Sequence, residues 1–195
     1  MFEIINIERW YFPAVLQLAN QIHGDNYLDA LSLCQLCELG VKDGFNASFV
    51  AINDQNAVIG YRLSLAAGQW PIDQWCSTSQ WPFAPADMAY FKSVGVLAEY
   101  QGQGIAQALL QASIKVLQAQ GAKAGLAHIW RESPGNAAER YFTKAGASLI
   151  KVHADRWLAL SEQAGYACPI CGNRCHCSAA EMLLPFTTPV ADSIP

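Results

Sequence analysis

Val94-Gly95-Val96-Leu97-Ala98-Glu99-Tyr100-Gln101-Gly102-Gln103-Gly104-Ile105-Ala106 is the stretch on which the reading of this chain turns. A β-rich run delivers the backbone into a glycine-rich turn, and a helical pattern begins at once. At such a helix start the free N–H groups and the positive end of the helix dipole suit a phosphate or pyrophosphate. Glycine lets the backbone approach the ligand with no Cβ in the way. Three phosphate-binding patterns compete. A P-loop requires Lys and a hydroxyl residue after the last glycine, and Ile105-Ala106 supplies neither. A dinucleotide fingerprint requires a small residue where Gln107 stands. The third pattern, Gln-x-x-Gly-x-Ala, is met by Gln101, Gly104 and Ala106.

Outward from the turn, Met88 to Leu97 reads as the incoming strand and Gly104 to Ala119 as the outgoing helix, with Ile105, Leu109, Ala112 and Val116 on one face. Upstream, Phe2 to Ile7 is strand-like, Trp10 to Ile22 has helical spacing, and a second helix runs from Leu28 to Leu39 before Gly40. Ser48–Ile52 and Ala57–Leu65 flank a polar Asn53-Asp54-Gln55-Asn56 turn and form a hairpin. Gly68 to Pro85, with Trp70, Trp75, Trp81 and Phe83, reads as a packed loop, either covering a pocket or pinned by its own tryptophans. Downstream, Ala124 to Trp130 is a strand. A helix capped by Ser133 starts at Pro134 and stops at Gly146, and Ala147–Val152 and Arg156–Leu160 follow as two strands. The order βααβββαβαββ implies a mixed α/β sheet.

The turn and its flanks resemble the coenzyme A-binding motif of the GNAT acetyltransferases, and the element order from Phe2 to Leu160 is similar to that fold. The resemblance implies a mixed, mostly antiparallel sheet flanked by helices. It also implies that backbone amides of Gln101, Gly102, Gln103, Gly104, Ile105 and Ala106 hold the pyrophosphate of acetyl-CoA, that Val94, Gly95 and Val96 pair with its pantetheine arm, and that an amine attacks the thioester directly. Asn136 stands near the helix-start asparagine that contacts the coenzyme in this family. Four residues before Gly146, where such proteins often carry the tyrosine that serves as general acid, stands Phe142, with Tyr141 one position out of register. For the base, His128 and Glu132 lie on or just after the strand that follows the coenzyme helix, and Leu126, His128 and Trp130 share one strand face. A core histidine is the plainer reading of His128. His23, Asp25 and Tyr27 read either as part of an acceptor pocket or as a polar interhelical turn.

Cys168-Pro169-Ile170-Cys171-Gly172-Asn173-Arg174-Cys175-His176-Cys177 is the second chemical signal. Its CPxCG pair matches a metal-knuckle turn, and Cys175 and Cys177 complete a closed four-sulfur site of the kind structural zinc prefers. His176 is an alternative ligand to either. Free thiols or a disulfide are the competing readings, and four ligands in one short segment leave room for an intersubunit site and hence a homodimer. Cys34 and Cys37, one helical turn apart with no second ligand pair nearby, read as buried thiols. Three segments are expected: 1–160 as the acyl-CoA-binding domain, 161–186 as the zinc knuckle and 187–195 as a frayed tail, with Glu181–Phe186 able to return as a strand.

Composition bounds the partners. A net charge of −4 with no Lys/Arg run argues against nucleic acid. No run is apolar enough to span a bilayer and no signal-peptide pattern opens the chain, so a cytoplasmic protein is expected. The acceptor expected is a small-molecule or protein amine. The rival reading is a non-catalytic acyl-CoA-binding protein, or a module whose knuckle docks a protein partner.

Overall fold

The computed structural model describes residues 1–163 and 165–186; the expected tail 187–195 lies outside them. Its main feature is a seven-stranded sheet in the order β1-β4-β5-β6-β7-β9-β8. The strands are β1 (Phe2–Asn6), β4 (Phe49–Asn53), β5 (Val58–Leu65), β6 (Met88–Val96), β7 (Ala124–Trp130), β8 (Ser148–His153) and β9 (Ala179–Pro185). Every neighbouring pair is antiparallel except β6 and β7. A two-stranded ribbon, β2 (Val41–Lys42) and β3 (Phe45–Asn46), stands apart from it.

Helices cover both faces, as the strands' apolar residues require. On one side α1 (Phe12–His23) and α2 (Ala30–Leu39) bury Val15, Leu18 and Leu33 against Val50, Tyr61 and Leu63. Asp29 caps α2 by accepting from the Ser32 N–H at 2.7 Å. On the other side α3 (Ile105–Ala119) and α4 (Ala137–Lys144) bury Leu110, Leu117 and Phe142 against Phe91, Ala127, Ile129 and Met182. The loop 66–87 packs Trp70 and Trp81 onto Met88, Leu126 and Leu183. It is anchored by the Trp70 indole N–H, which donates to the Met88 carbonyl at 2.7 Å.

Two expected elements differ. Arg156–Leu160 is not a strand: it is a turn leading into α5 (Leu158–Gln163). Trp157 packs on the cysteines there, and the Ser161 hydroxyl accepts the Cys175 N–H at 2.9 Å, so these residues serve the cysteine segment rather than the sheet. The sheet's last strand is β9, which comes after the cysteines and inserts between β7 and β8. The cysteine segment is therefore the connection between two neighbouring strands. The second difference is at Pro134, where a short 3-10 turn precedes α4. Asn136, with a left-handed φ of 50°, separates the two, and Ser133 makes no side-chain cap.

Among the described residues the only parallel pair is short. β6 and β7 match over Met88–Tyr90 and Ala124–Leu126. Beyond that β6 stays with β5 as far as Val96, and β7 stays with β9 as far as Trp130. The two central strands therefore part beyond Tyr90 and Leu126.

Candidate active site

The glycine turn lies at the end of β6. Gly102 and Gly104 have φ of 77° and 83°, a left-handed geometry that L side chains rarely adopt, and a Cβ on either would meet no atom within 4 Å. Gly104 is the N-cap of the fifteen-residue α3. No side chain caps that end, and its first turn holds no acidic residue. An uncapped, long helix start with open space before it fits an anionic group. Tyr100 fixes the turn to β4 by accepting from Asn53 Nδ2 at 3.2 Å.

Leu97 N–H donates to Ile59 O in the β5 ladder at 2.9 Å. By strand alternation Val94 and Val96 turn their backbone groups to the other side, where β7 has left. The carbonyls are met there by His23 Nε2 at 3.3 Å and Gln101 Nε2 at 3.2 Å. Gly95 lies in register with Tyr61. At the start of α4, Asn136 Nδ2 donates to Glu139 at 3.0 Å, while its Oδ1 is buried without a partner.

Tyr141 is engaged rather than free. Its hydroxyl donates to the Ala106 carbonyl at 2.7 Å and accepts from Arg62 Nη2 at 3.1 Å. That bridge ties α4 to the first turn of α3. Burial pushes the Tyr141 phenol up from its ordinary value, so it stays protonated and can keep donating. Phe142 is buried in the core.

His128 and Glu132 separate clearly. His128 Nε2 donates to the Trp75 carbonyl at 2.8 Å, which fixes the tautomer and leaves Nδ1 to accept from the Tyr90 hydroxyl at 3.1 Å. Burial pushes His128 below its ordinary value. Glu132 instead accepts from the Ser178 N–H at 3.0 Å and the Ser178 hydroxyl at 2.7 Å, clasping the end of β7 to the start of β9. Tyr90 carries no signal in the sequence beyond its place in a strand; only the register of β6 against β7 brings it to His128.

Across the sheet from His128 lies Glu181, its register partner on β9. Glu181 Oε2 accepts from His153 Nε2 at 2.9 Å, and Oε1 accepts from the Ser77 N–H at 2.9 Å and the Trp81 indole N–H at 2.8 Å. Burial alone would push this carboxyl up; those donors outweigh it and hold the carboxyl below its usual range. His128, His153 and Glu181 could gather a metal by distance, but each already has hydrogen-bond partners, and we read them as the network that seats the loop.

The cysteines form one cluster. All four sulfurs lie within 4.8 Å of one another, with Cys168–Cys177 at 3.8 Å and Cys171–Cys177 at 3.5 Å. Zinc–sulfur bonds of about 2.3 Å in a tetrahedron give sulfur–sulfur edges of about 3.8 Å, so the set fits zinc. The backbone closes as a knuckle: Cys168 and Gly172 exchange N–H···O bonds of 2.9 and 2.8 Å. Burial pushes the Cys168 thiol up, but the N–H groups of Cys171 and Ile170 outweigh it and bring it down. His176 is bonded to Asp155 at 2.8 Å. Cys37 is buried, and neither it nor Cys34 belongs to a metal-type cluster among the described residues.

This segment reaches across to the turn after α1. Tyr166 donates its hydroxyl to the His23 carbonyl at 2.9 Å, Ala167 N–H donates to Asp25 O at 3.2 Å, and Asn26 Nδ2 donates to Gly165 O at 3.0 Å. Gly24, with φ of 106°, makes the approach possible, since a Cβ there would sit 2.0 Å from the Ala167 oxygen. Tyr27, Trp130 and Trp157 pack on the cysteines, and the His23 ring lies tilted against Tyr27 at 4.5 Å between centroids.

A mixed sheet parted between its two parallel strands, with an uncapped glycine-led helix start beside the parting, defines an acyl-coenzyme A transferase fold. The chain belongs to the acetyltransferase (GNAT) family, whose description matches residues 3–147. Among solved structures it is similar to the ribosomal-protein-S18-alanine N-acetyltransferase of Escherichia coli, at 14% identity and TM-score 0.65, covering 100% of each chain. An N-acetyltransferase of Staphylococcus aureus Mu50 aligns at 17% identity and TM-score 0.67, covering 95% of this chain and 98% of the other. Arabidopsis thaliana Naa50, in complex with a bisubstrate analogue, aligns at 12% and 0.63, covering 95% and 99%. No curated protein matches the chain. Among the described residues no helix is long and apolar enough to cross a membrane.

Proposed function

We propose that the chain transfers an acetyl group from acetyl-CoA to a primary amine by direct attack. The observation that carries this reading is the uncapped start of α3, led by left-handed Gly104 and set beside the parting of β6 and β7. In this reading the amides of Gly102–Ala106 hold the pyrophosphate, the Gln101 N–H being already given to the Ala98 carbonyl at 3.2 Å. The backbone of Val94–Val96 aligns the pantetheine arm, and the unpartnered Asn136 oxygen accepts from the coenzyme. The amine enters from the opposite side, under the turn after α1. Its proton passes to the Tyr90 hydroxyl oxygen as Tyr90 hands its own proton to His128 Nδ1. His128 suits this because burial keeps it neutral and Trp75 fixes its tautomer. Glu132 and Tyr141 are structural clasps and take no part in proton transfer.

Cys168, Cys171, Cys175 and Cys177 would hold one zinc, a closed centre with no position for substrate. Its role is to order the segment that joins β7's end to the turn after α1, and so to shape the acceptor side. The rival, an acyl-CoA-binding protein without turnover, draws on Phe142 at the family's usual acid position. Thiol release from acetyl-CoA over a panel of small amines and peptides separates the two. Turnover with any amine supports transfer; coenzyme binding without turnover over the whole panel favours the rival.

A further inference from the structure

Arg62 is the feature that the fold does not explain. It is the one charged residue of β5, lies 1% exposed, and points to the α3/α4 side of the sheet. Among the described residues its guanidinium has one hydrogen-bond partner, the neutral Tyr141 hydroxyl, and its Nε is buried with none. Among the described residues no carboxylate pairs with it; Glu139, the acid on α4, is held by Arg131 at 3.3 Å and by Asn136. Three rings face it, with the Phe91, Phe142 and Tyr141 centroids at 5.1, 5.8 and 5.9 Å from Cζ. On β6 Lys92 is exposed, and α3 offers no charge in its first turn.

A buried cation of this kind is costly, and an apolar residue of similar size is usually as stable or better. Retaining one without an anion points to an anion that arrives with substrate. When an amine nitrogen bonds to the acetyl carbon, the carbon–sulfur bond breaks and the electron pair leaves on coenzyme A sulfur. The amine's proton goes to the base, so the sulfur is left negative. Phe142 cannot protonate it and Tyr141 is committed to Ala106. We propose that Arg62 is the buried charge that stabilises the departing coenzyme A thiolate, in place of a protonating tyrosine. Its partner in the β5–β6 register is Val94, on the stretch read as aligning the pantetheine arm, and Tyr141 ties it to the Ala106 carbonyl at the start of α3. This rests on the acetyltransferase reading above.

The test uses the full-length protein, coenzyme A and three variants. The ultraviolet absorbance of the thiolate is titrated for coenzyme A free in solution and bound to wild type, Arg62→Met, Arg62→Lys and Tyr141→Phe. Bound to wild type, the thiol should ionise at lower pH than in free coenzyme A. In Arg62→Met that lowering should vanish while the protein stays folded and melts no earlier than wild type. Turnover should fall about 10²-fold, the scale of losing one preorganised stabilising group. Arg62→Lys should recover part of both effects, because it restores the charge but not the planar fork. An unshifted thiol in wild type overturns the inference, whether or not any variant folds. So does unchanged turnover in a folded Arg62→Met. Early melting of both Met and Lys variants with full turnover of the folded fraction would make Arg62 a core bridge and also overturn it. Failure of wild type to bind coenzyme A would overturn the acetyltransferase reading itself, an outcome distinct from binding with an unshifted thiol.

Discussion

Two charges are buried in one sheet, and they are treated in opposite ways. Glu181 on β9 is 0% exposed and accepts three hydrogen bonds, from Ser77, Trp81 and His153. Arg62 on β5 is 1% exposed and, among the described residues, has a single hydrogen-bond partner, which is neutral. A satisfied buried charge is accounted for by architecture: Glu181 holds the loop 66–87 down on the strands. Arg62 is not, because ring faces and one neutral hydrogen bond offset its desolvation only in part and supply no anion. The cysteine cluster follows the same logic. Cys168, Cys175 and Cys177 are buried with mainly each other for polar company, and a metal ion is the partner that would complete them.

The contrast can be broken hardest at Glu181. Glu181→Ala strands two N–H donors and a histidine, and should cost about 3–5 kcal/mol of stability, read from urea midpoints. Arg62→Met should change the same midpoint by less than about 1 kcal/mol. Equal losses at both sites would erase the distinction.

The knuckle sharpens it next. Cys168→Ser and Cys177→Ser should each empty the site of zinc, measured by elemental analysis of untagged protein, while His176→Ala leaves it filled. Removing the metal should raise the acceptor KM and leave acetyl-CoA affinity near its original value, since the segment is hydrogen-bonded to the turn after α1. Zinc lost with His176→Ala would overturn the ligand set.

A smaller effect concerns acid. Burial, opposed by the Val94 carbonyl, brings His23 down from 6.5 to about 4. The unfolded chain therefore takes up a proton below about pH 6.5 that the folded chain refuses until about pH 4. Stability should fall across that window as pH drops. Glu181, whose folded value is depressed, contributes stability above its ordinary value of 4.5 and loses it at lower pH still. Burial holds His128 down in the same way, so it adds to the first loss. Unfolding midpoints at a pH series should show two successive losses, with His23→Gln shrinking the first and Glu181→Gln removing the second. A flat profile in wild type contradicts both assignments.

The smallest change is expected at Tyr141. Tyr141→Phe removes a clasp but no general acid, so turnover should fall less than about tenfold. A loss in the 10²–10⁴ range, typical of a general acid, with coenzyme affinity intact, would return the acid role to Tyr141.

Much of this was legible in the sequence because it is local. The glycine turn, α3, the β4–β5 hairpin and the cysteine knuckle each depend on residues within one short stretch. The return of Glu181–Phe186 as a strand was legible from its apolar run, and the strand is Ala179–Pro185. Arg156–Leu160 misled because Arg-Trp-Leu-Ala-Leu suits a strand or a helix, and only the packing of Trp157 and Ser161 on the cysteine segment decides it. Arg62 and Glu181 were visible as single charges in apolar runs, a signal that could have flagged them. What could not be read was which had partners, since those come from other strands and from a loop about a hundred residues away. The parting of β6 from β7, and with it the meeting of Tyr90 and His128, is a matter of register between strands and leaves no mark on composition.

The central claim is that acetyl-CoA binds at the start of α3, and calorimetry on Gly104 variants tests it most directly. Gly104→Ala imposes the strain of a left-handed φ without charge, and Gly104→Glu adds a carboxylate where the pyrophosphate belongs. Wild type should bind acetyl-CoA, the alanine variant should bind it more weakly, and the glutamate variant, still folded, should lose binding by at least a further tenfold. Equal affinity in wild type and a folded Gly104→Glu protein would contradict the account.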